Sequence, residues 1–168
     1  MSALADLDQM SEEEFVSTFG SLFEHSPWVV REAWRRRPFG SRGALQAAFD
    51  DAMRSAPRER QLALVRAHPE LAGREAAEGK LTDESSREQA SAGLDRLSPT
   101  EHARLTELNR RYRDRFGFPM VVCVGEHTKD SILAWGSARL ERSREDELAT
   151  ALGEIAKIAD RRLTELLA

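Results

Sequence analysis

The sequence lacks several features that whole classes of proteins require. Among its 168 residues only Cys123 is a cysteine, so no intrachain disulfide can form and the fold must depend on its hydrophobic core. No uninterrupted apolar stretch approaches the length of a membrane span, and the N-terminal residues lack the basic and apolar parts of a signal peptide. We therefore expect a cytoplasmic protein in a reducing compartment, with no membrane partner.

Motifs for metal ions, nucleotides and common hydrolases are also missing. The four histidines lie too far apart in the sequence for a local zinc motif, and no glycine-rich phosphate loop or serine-hydrolase elbow is present. The net charge is −4 and the acidic and basic residues are interspersed, so the sequence predicts no broad cationic face for nucleic acid. We expect no metal, no cofactor and no nucleic-acid partner.

The patterns that are present indicate helices. Hydrophobic residues make up 40% of the chain, which is enough for one compact domain, and we assign residues 1–168 to it. Cap signals at Ser11, Thr82, Ser98 and Thr128 precede runs with helical periodicity. The run 118–124, FPMVVCV, breaks that period and predicts a buried extended segment. The expected fold is a single all-α domain of seven or eight helices with one short extended segment, and with a linker at 72–80.

His68 is the first candidate for chemistry. It stands with Pro69 at the end of a predicted helix, where proline prevents continuation and would hold the imidazole in one place. An imidazole titrates near neutral pH and suits general acid or base catalysis. The alternative is that His68 only complements the dipole at the C-terminal end of the helix. The sequence pattern alone leaves both open.

A second candidate is the polar face of the following helix. Ser85, Glu88 and Gln89 stand at positions i, i+3 and i+4, so they share one helical face and could present a hydroxyl, a carboxylate and an amide to one small polar molecule. An ordinary solvated face would have the same pattern. Cys123 could act as a nucleophile, although a cysteine in an apolar run is more often buried packing.

Five stretches of the sequence, in order along residues 8–167, resemble the motifs of one enzyme family. They are FEHSPWV, AHPELAG, SSREQASAGL, LNRRYRDRFGFP followed by MVVCV, and EIAKIADRRL. Together they resemble the 2-oxo-4-hydroxy-4-carboxy-5-ureidoimidazoline (OHCU) decarboxylase family. The combination of His-Pro, Ser-x-x-Glu-Gln and Phe-Gly-Phe-Pro is specific, although each motif alone would be weak.

The resemblance implies an all-helical, usually dimeric enzyme of urate degradation that removes CO₂ from OHCU to give (S)-allantoin without a cofactor. It implies that His68 is the acid/base catalyst for one stereospecific proton and that Glu88 orients the substrate. We expect a homodimer, partly because Trp28 and Trp34 lie in helices of a domain too small to bury them fully. The other residues assigned to substrate binding are Pro69, Ser85, Ser86, Arg87, Gln89, Met120, Val121, Val122, Cys123, Val124 and Arg162.

Some alternatives remain at this point. Arg162 would meet a substrate carboxylate or form a surface ion pair, and His25 is either structural or close to the site. A non-catalytic helical binding or scaffold protein would leave His68, Glu88 and Gln89 scattered on the surface. A cysteine-dependent hydrolase would use Cys123 with a histidine and would be inactivated by thiol alkylation.

Overall fold

The computed structural model describes residues 4–168, and no β-strand occurs among them. The predicted all-α class is confirmed. Two 3-10 helices, Gly20–Leu22 and Val124–Glu126, accompany ten α-helices. In chain order these are α1 Leu4–Gln9, α2 Glu12–Phe19, α3 Pro27–Trp34, α4 Arg42–Arg54, α5 Arg58–Arg66, α6 Arg74–Ala77, α7 Asp83–Ser91, α8 Pro99–Phe116, α9 Lys129–Arg139 and α10 Arg144–Leu167.

Helices α2, α4, α7, α8 and α9 begin at a residue whose side chain caps the first turn. Ser98 shows the reciprocal arrangement: its Oγ accepts from the Glu101 N–H at 3.1 Å, and the Glu101 carboxylate accepts from the Ser98 N–H at 2.9 Å. Thr82 caps α7 by accepting from the Ser85 N–H at 3.2 Å. At the other end of α8, Gly117 takes a left-handed conformation with φ of 79°, which glycine adopts without strain.

The number of helices differs from the seven or eight that were predicted. The two additional helices are α1 and α6. Helix α6 has four residues and lies inside the charged stretch predicted to be a linker, and none of its residues is buried. A single turn without an apolar face leaves no periodicity in the sequence, so the prediction missed it.

The described residues fall into two compact units. The first contains the residues up to Ala67 together with Ile155–Ala168. Its core is a group of phenylalanine rings that includes Phe15, Phe19 and Phe49. The rings of Phe15 and Phe19 are 4.8 Å apart, and those of Phe19 and Phe49 are 5.8 Å apart. The assignment of residues 1–168 to one domain stays a prediction.

The second unit, His68–Glu154, contains nearly all of the candidate site residues. Its core includes Tyr112 and Phe116, whose rings are 4.6 Å apart. The run 118–124, the predicted extended segment, is buried throughout, as predicted, but it forms no strand: residues 119–123 have no regular secondary structure and Val124 begins the second 3-10 helix. Among residues 4–168 no helix is both long and apolar enough to cross a membrane.

Candidate active site

His68 lies at the start of the second unit, just after a helix ends. Helix α5 ends at Arg66 and Ala67 caps it, so His68 and Pro69 form the first residues of the connection that follows. The His68 side chain is buried, with 8% of the residue exposed. Its environment is therefore unlike that of an exposed histidine that only caps a helix dipole, whereas its proposed catalytic role stays a prediction.

Burial divides the candidate residues of α7 into two groups. Ser85 and Gln89 are buried, and Glu88 is half-buried. Ser86 and Arg87 are exposed on the other side of the helix. The interpretation of this polar face as an ordinary solvated surface is therefore wrong for Ser85 and Gln89. Because buried polar groups require hydrogen-bond partners, this face contacts other polar groups of the site.

Gln89 connects α7 to the stretch that follows His68 and Pro69. Its side-chain Oε1 accepts a hydrogen bond from the Ala72 N–H at 2.9 Å. Ala72 has φ of 48°, the left-handed region that a non-glycine residue enters only when its surroundings hold it there. The same stretch is held from α8, because Asn109 Nδ2 donates to the Leu71 carbonyl at 3.0 Å. A hydrogen bond thus joins two of the three chain segments of the predicted site, namely the stretch after His68 and helix α7.

The third segment, residues 120–124, adjoins the same helix. Its last residue opens the second 3-10 helix, Val124–Glu126, and this helix packs against α7. All five residues of the segment are buried. The second unit therefore brings the segment after His68, helix α7 and residues 120–124 together, whereas the assignment of their residues to substrate binding stays a prediction.

Two buried charged residues hold the main chain of residues 120–124. Arg139 Nη1 donates to the Val121 carbonyl at 2.8 Å, and the Cys123 N–H donates to Glu154 Oε1 at 3.0 Å. Arg139 and Glu154 are 0% and 3% exposed. Neither residue was identified from the sequence, because contacts between residues 18 and 31 positions apart leave no local pattern.

Arg139 belongs to a buried polar network. Its Nε donates to Glu147 Oε1 at 2.6 Å, and its Nη2 donates to the Tyr112 hydroxyl at 3.2 Å. The Tyr112 hydroxyl in turn donates to Glu147 Oε1 at 2.6 Å. Burial raises the pKa of Tyr112 well above its ordinary value, so this hydroxyl stays protonated and acts as a donor.

Met120 and Cys123 have packing roles. Gly136 of α9 lies against the Met120 side chain, and a Cβ at position 136 would come within 2.9 Å of Met120 Sδ and 2.6 Å of Leu108 Cδ2. Cys123 is 1% exposed, which matches buried packing more closely than a nucleophile that must meet a substrate.

Arg162 and His25 lie in the first unit. The Arg162 guanidinium is buried and its Nη2 pairs with Glu24 Oε1 at 2.8 Å, while Nη1 donates to the Ser21 carbonyl at 3.2 Å. The interpretation of Arg162 as a surface ion-pair residue is therefore wrong. Its contact with a substrate carboxylate stays a prediction. His25 is exposed in a left-handed turn with φ of 47°.

Within residues 4–168, no group of three or more histidine, cysteine, aspartate or glutamate side chains is arranged to hold a metal ion. The candidate residues of the second unit instead carry hydroxyl, amide, carboxylate and imidazole groups, which stand beside main-chain groups of the same unit. Groups of this kind bind and orient a small polar molecule by hydrogen bonds, and an imidazole among them can transfer a proton.

Known proteins resemble this chain over nearly its whole length. A family model described as OHCU decarboxylase matches residues 8–164. The chain is 43% identical over 161 residues to the 2-oxo-4-hydroxy-4-carboxy-5-ureidoimidazoline decarboxylase of Halalkalicoccus jeotgali, covering 96% of this chain and 89% of that protein. It is 39% identical over 167 residues to the uric acid degradation bifunctional protein PucL of Bacillus subtilis, covering 99% of this chain and 33% of that protein. A crystal structure of (S)-allantoin synthase matches with a TM-score of 0.74 at 27% identity, covering 98% of this chain and 54% of that chain. The chain belongs to the OHCU decarboxylase family.

Proposed function

We propose that this protein is a cofactor-independent carboxy-lyase that converts OHCU to (S)-allantoin in urate degradation. The observation that carries the proposal is the OHCU decarboxylase match across residues 8–164. The second unit supports it, because the His68-Pro69 segment, α7 and the extended segment lie together there with buried hydrogen-bonding groups. We further propose a cytoplasmic homodimer.

The chemistry explains why this set of side chains is sufficient. In OHCU the ring carbon that loses CO₂ also carries a hydroxyl group. When its bond to the carboxylate breaks, the electron pair forms a double bond to the ureido-bearing carbon. The electrons of the neighbouring imine then pass to the ring nitrogen, which takes up a proton, and an enol results. A proton then adds to the ureido-bearing carbon, which becomes the stereocentre of allantoin, and the hydroxyl proton leaves as the ring carbonyl forms. The enzyme must place the ring and deliver one proton to one face.

We assign the proton delivery to His68. An imidazole is partly protonated near neutral pH, so it can act as the acid, and the burial of His68 limits the access of competing water. Pro69 beside it limits the movement of the main chain. Glu88 would accept hydrogen bonds from the N–H groups of the substrate and orient the ring.

Gln89 would bind the substrate through the NH₂ group of its side chain. Its Oε1 already accepts from the Ala72 N–H, so we assign to its NH₂ group the hydrogen bond to a substrate carbonyl. Ser85, buried on the same face, would add a hydroxyl. Main-chain groups of residues 120–124 would complete the contact with the amide-rich edge of the substrate.

The test uses freshly generated OHCU, whose spontaneous decay yields racemic allantoin. We expect the protein to accelerate loss of OHCU and to give (S)-allantoin, seen as a growing circular dichroism signal. A matched reaction without protein gives the background, which has no net optical activity. Racemic product at the background rate would contradict the proposal and would leave a helical binding protein as the better account.

A further inference from the structure

The main chain of residues 120–124 is buried although it belongs to no sheet in the part of the chain that the structure describes. Buried main-chain N–H and C=O groups require partners. In a strand a neighbouring strand would supply these partners, whereas here two side chains bind the Val121 carbonyl and the Cys123 N–H. Arg139 of α9 binds the Val121 carbonyl, and Glu154 of α10 binds the Cys123 N–H.

The two contacts lie on either side of Val122. The Val121 carbonyl belongs to the peptide group before Val122, and the Cys123 N–H belongs to the peptide group after it. Because a trans peptide is planar and its N–H and C=O point in opposite directions, fixing one group of each peptide also fixes the other. The N–H of Val122 therefore points away from Arg139, and its C=O points away from Glu154.

A gain in stability does not by itself explain why these two charged residues are buried beside the segment. A buried Arg or Glu loses its hydration, and well-packed apolar side chains of similar volume often give equal or greater stability. The Arg139 guanidinium also has a fixed orientation, because Nε, Nη1 and Nη2 donate to Glu147, Val121 and Tyr112 respectively. Because three hydrogen bonds fix its orientation, the guanidinium can in turn fix the position of the main chain that it contacts.

We propose that Arg139 and Glu154 are positioning residues that hold the N–H and C=O of Val122 as a paired donor and acceptor for the substrate. Such a pair matches a ligand edge that carries an amide or ureide, where C=O and N–H groups stand side by side. The inference rests on the proposed function, since it names the groups that would bind the substrate of that same site.

The test compares Glu154→Leu with Glu154→Gln. Leucine removes the acceptor of the Cys123 N–H, whereas glutamine keeps a side-chain oxygen there. We expect Glu154→Leu to speed hydrogen exchange of the Cys123 amide about tenfold or more, to raise KM at least about fivefold and to lower the enantiomeric excess of allantoin. We expect Glu154→Gln to retain parental exchange, KM and enantiomeric excess.

Arg142→Gln is the matched control for a general loss of stability. Arg142 donates to Glu147 Oε2 at 3.0 Å and so belongs to the same network, but its contact is with Glu147 rather than with the extended segment. We expect this variant to lower Tm without changing KM or the enantiomeric excess.

Three outcomes would overturn the proposal. The first is a folded Glu154→Leu protein whose Cys123 amide exchanges hydrogen at the parental rate. The second is a folded Glu154→Leu protein with the parental KM and enantiomeric excess. The third is an Arg142→Gln protein that changes the same quantities in proportion to its Tm. If Glu154→Leu does not fold, Arg139→Lys, which cannot donate to all three partners at once, is used for KM and enantiomeric excess, with hydrogen exchange followed at the Val122 amide of the peptide that Arg139 binds. A parent protein without activity on OHCU would defeat the proposed function, while amide exchange at Cys123 would still decide whether Glu154 holds the segment.

Discussion

Burial distinguishes residues of α7 that spacing alone had grouped together. The sequence places Ser85, Glu88 and Gln89 on one helical face, and the structure buries two of them while Ser86 and Arg87 are exposed. Helical spacing predicts which residues share a face, but it contains no information on what covers that face. The Ala72 turn and the second 3-10 helix contact α7, and only the tertiary structure brings them there.

Gln89→Glu tests the binding role that we assign to the amide of Gln89. Glutamate keeps an oxygen for the Ala72 N–H but loses the NH₂ donor, so we expect KM for OHCU to rise about tenfold or more, equivalent to ~1.4 kcal/mol. Tm should fall, because the variant buries a carboxylate, so KM is compared at a temperature where both proteins are folded. Ser91→Ala, at an exposed position of the same helix, is the control in steady-state kinetics. An unchanged KM in a folded Gln89→Glu protein would remove Gln89 from the binding site.

At the scale of single helices, the N-cap of α7 determines how well the first turn and Ser85 are ordered. Thr82→Ala removes the oxygen that accepts from the Ser85 N–H, so we expect a loss of about 1 kcal/mol in the free energy of unfolding. Thr82→Ser keeps the hydroxyl and should retain most of that stability. Urea unfolding of the three proteins measures the difference, and equal stability of all three would show that the cap contributes nothing.

The starts of α8 and α9 are connected by a half-buried ion pair between Glu101 and Lys129. The hydrogen bond from Lys129, followed by that from the Ser98 N–H, lowers the pKa of Glu101 from 4.5 to about 2. A carboxyl group with a lowered folded pKa stabilises the protein above its unfolded pKa, and this stabilisation is lost as the pH falls from 4.5 towards about 2.

Glu101→Gln should therefore destabilise the protein at neutral pH and at moderate acidity, by an amount that salt reduces because solvent reaches part of both side chains. The difference from the parent protein should shrink as the pH falls below 4.5. Denaturant unfolding across this pH range, at low and high salt, measures it. A difference that does not depend on pH would mean that the ionised carboxylate makes no contribution.

At the scale of the whole molecule, the helices could be predicted because their signals are local. The reciprocal cap at Ser98 and the left-handed Gly117 bound α8 in the structure as they do in the sequence. The buried hydrogen bonds of Arg139 and Glu154 could not be predicted in this way. They depend on helices meeting in space, and a charged residue within a helical pattern has the same local signal whether it is exposed or buried.

We expect a homodimer in solution, although the structure weakens one argument for it. Trp34 is half-buried, its indole N–H donates to the Met10 carbonyl at 2.9 Å, and the Arg37 guanidinium lies 3.9 Å from its ring centroid. Contacts within the chain therefore bury part of the Trp34 side chain without a partner subunit. The expectation of a homodimer rests mainly on the family. Light scattering at micromolar concentration should give twice the chain mass of 18.9 kDa. A monomer at that concentration would contradict the prediction.

The most direct test of the account is the stereochemistry of the product made by His68→Asn. Asparagine keeps approximately the size and one hydrogen bond of the imidazole but cannot deliver a proton near neutral pH. We expect turnover to fall by about two to four orders of magnitude, with a smaller effect on binding and with product approaching the racemic mixture of the spontaneous reaction. A histidine that only complements a helix dipole would instead cost ~1 to 2 kcal/mol of stability and leave activity intact. A folded His68→Asn protein that makes (S)-allantoin at nearly the parental rate would contradict the assignment of the proton transfer to His68.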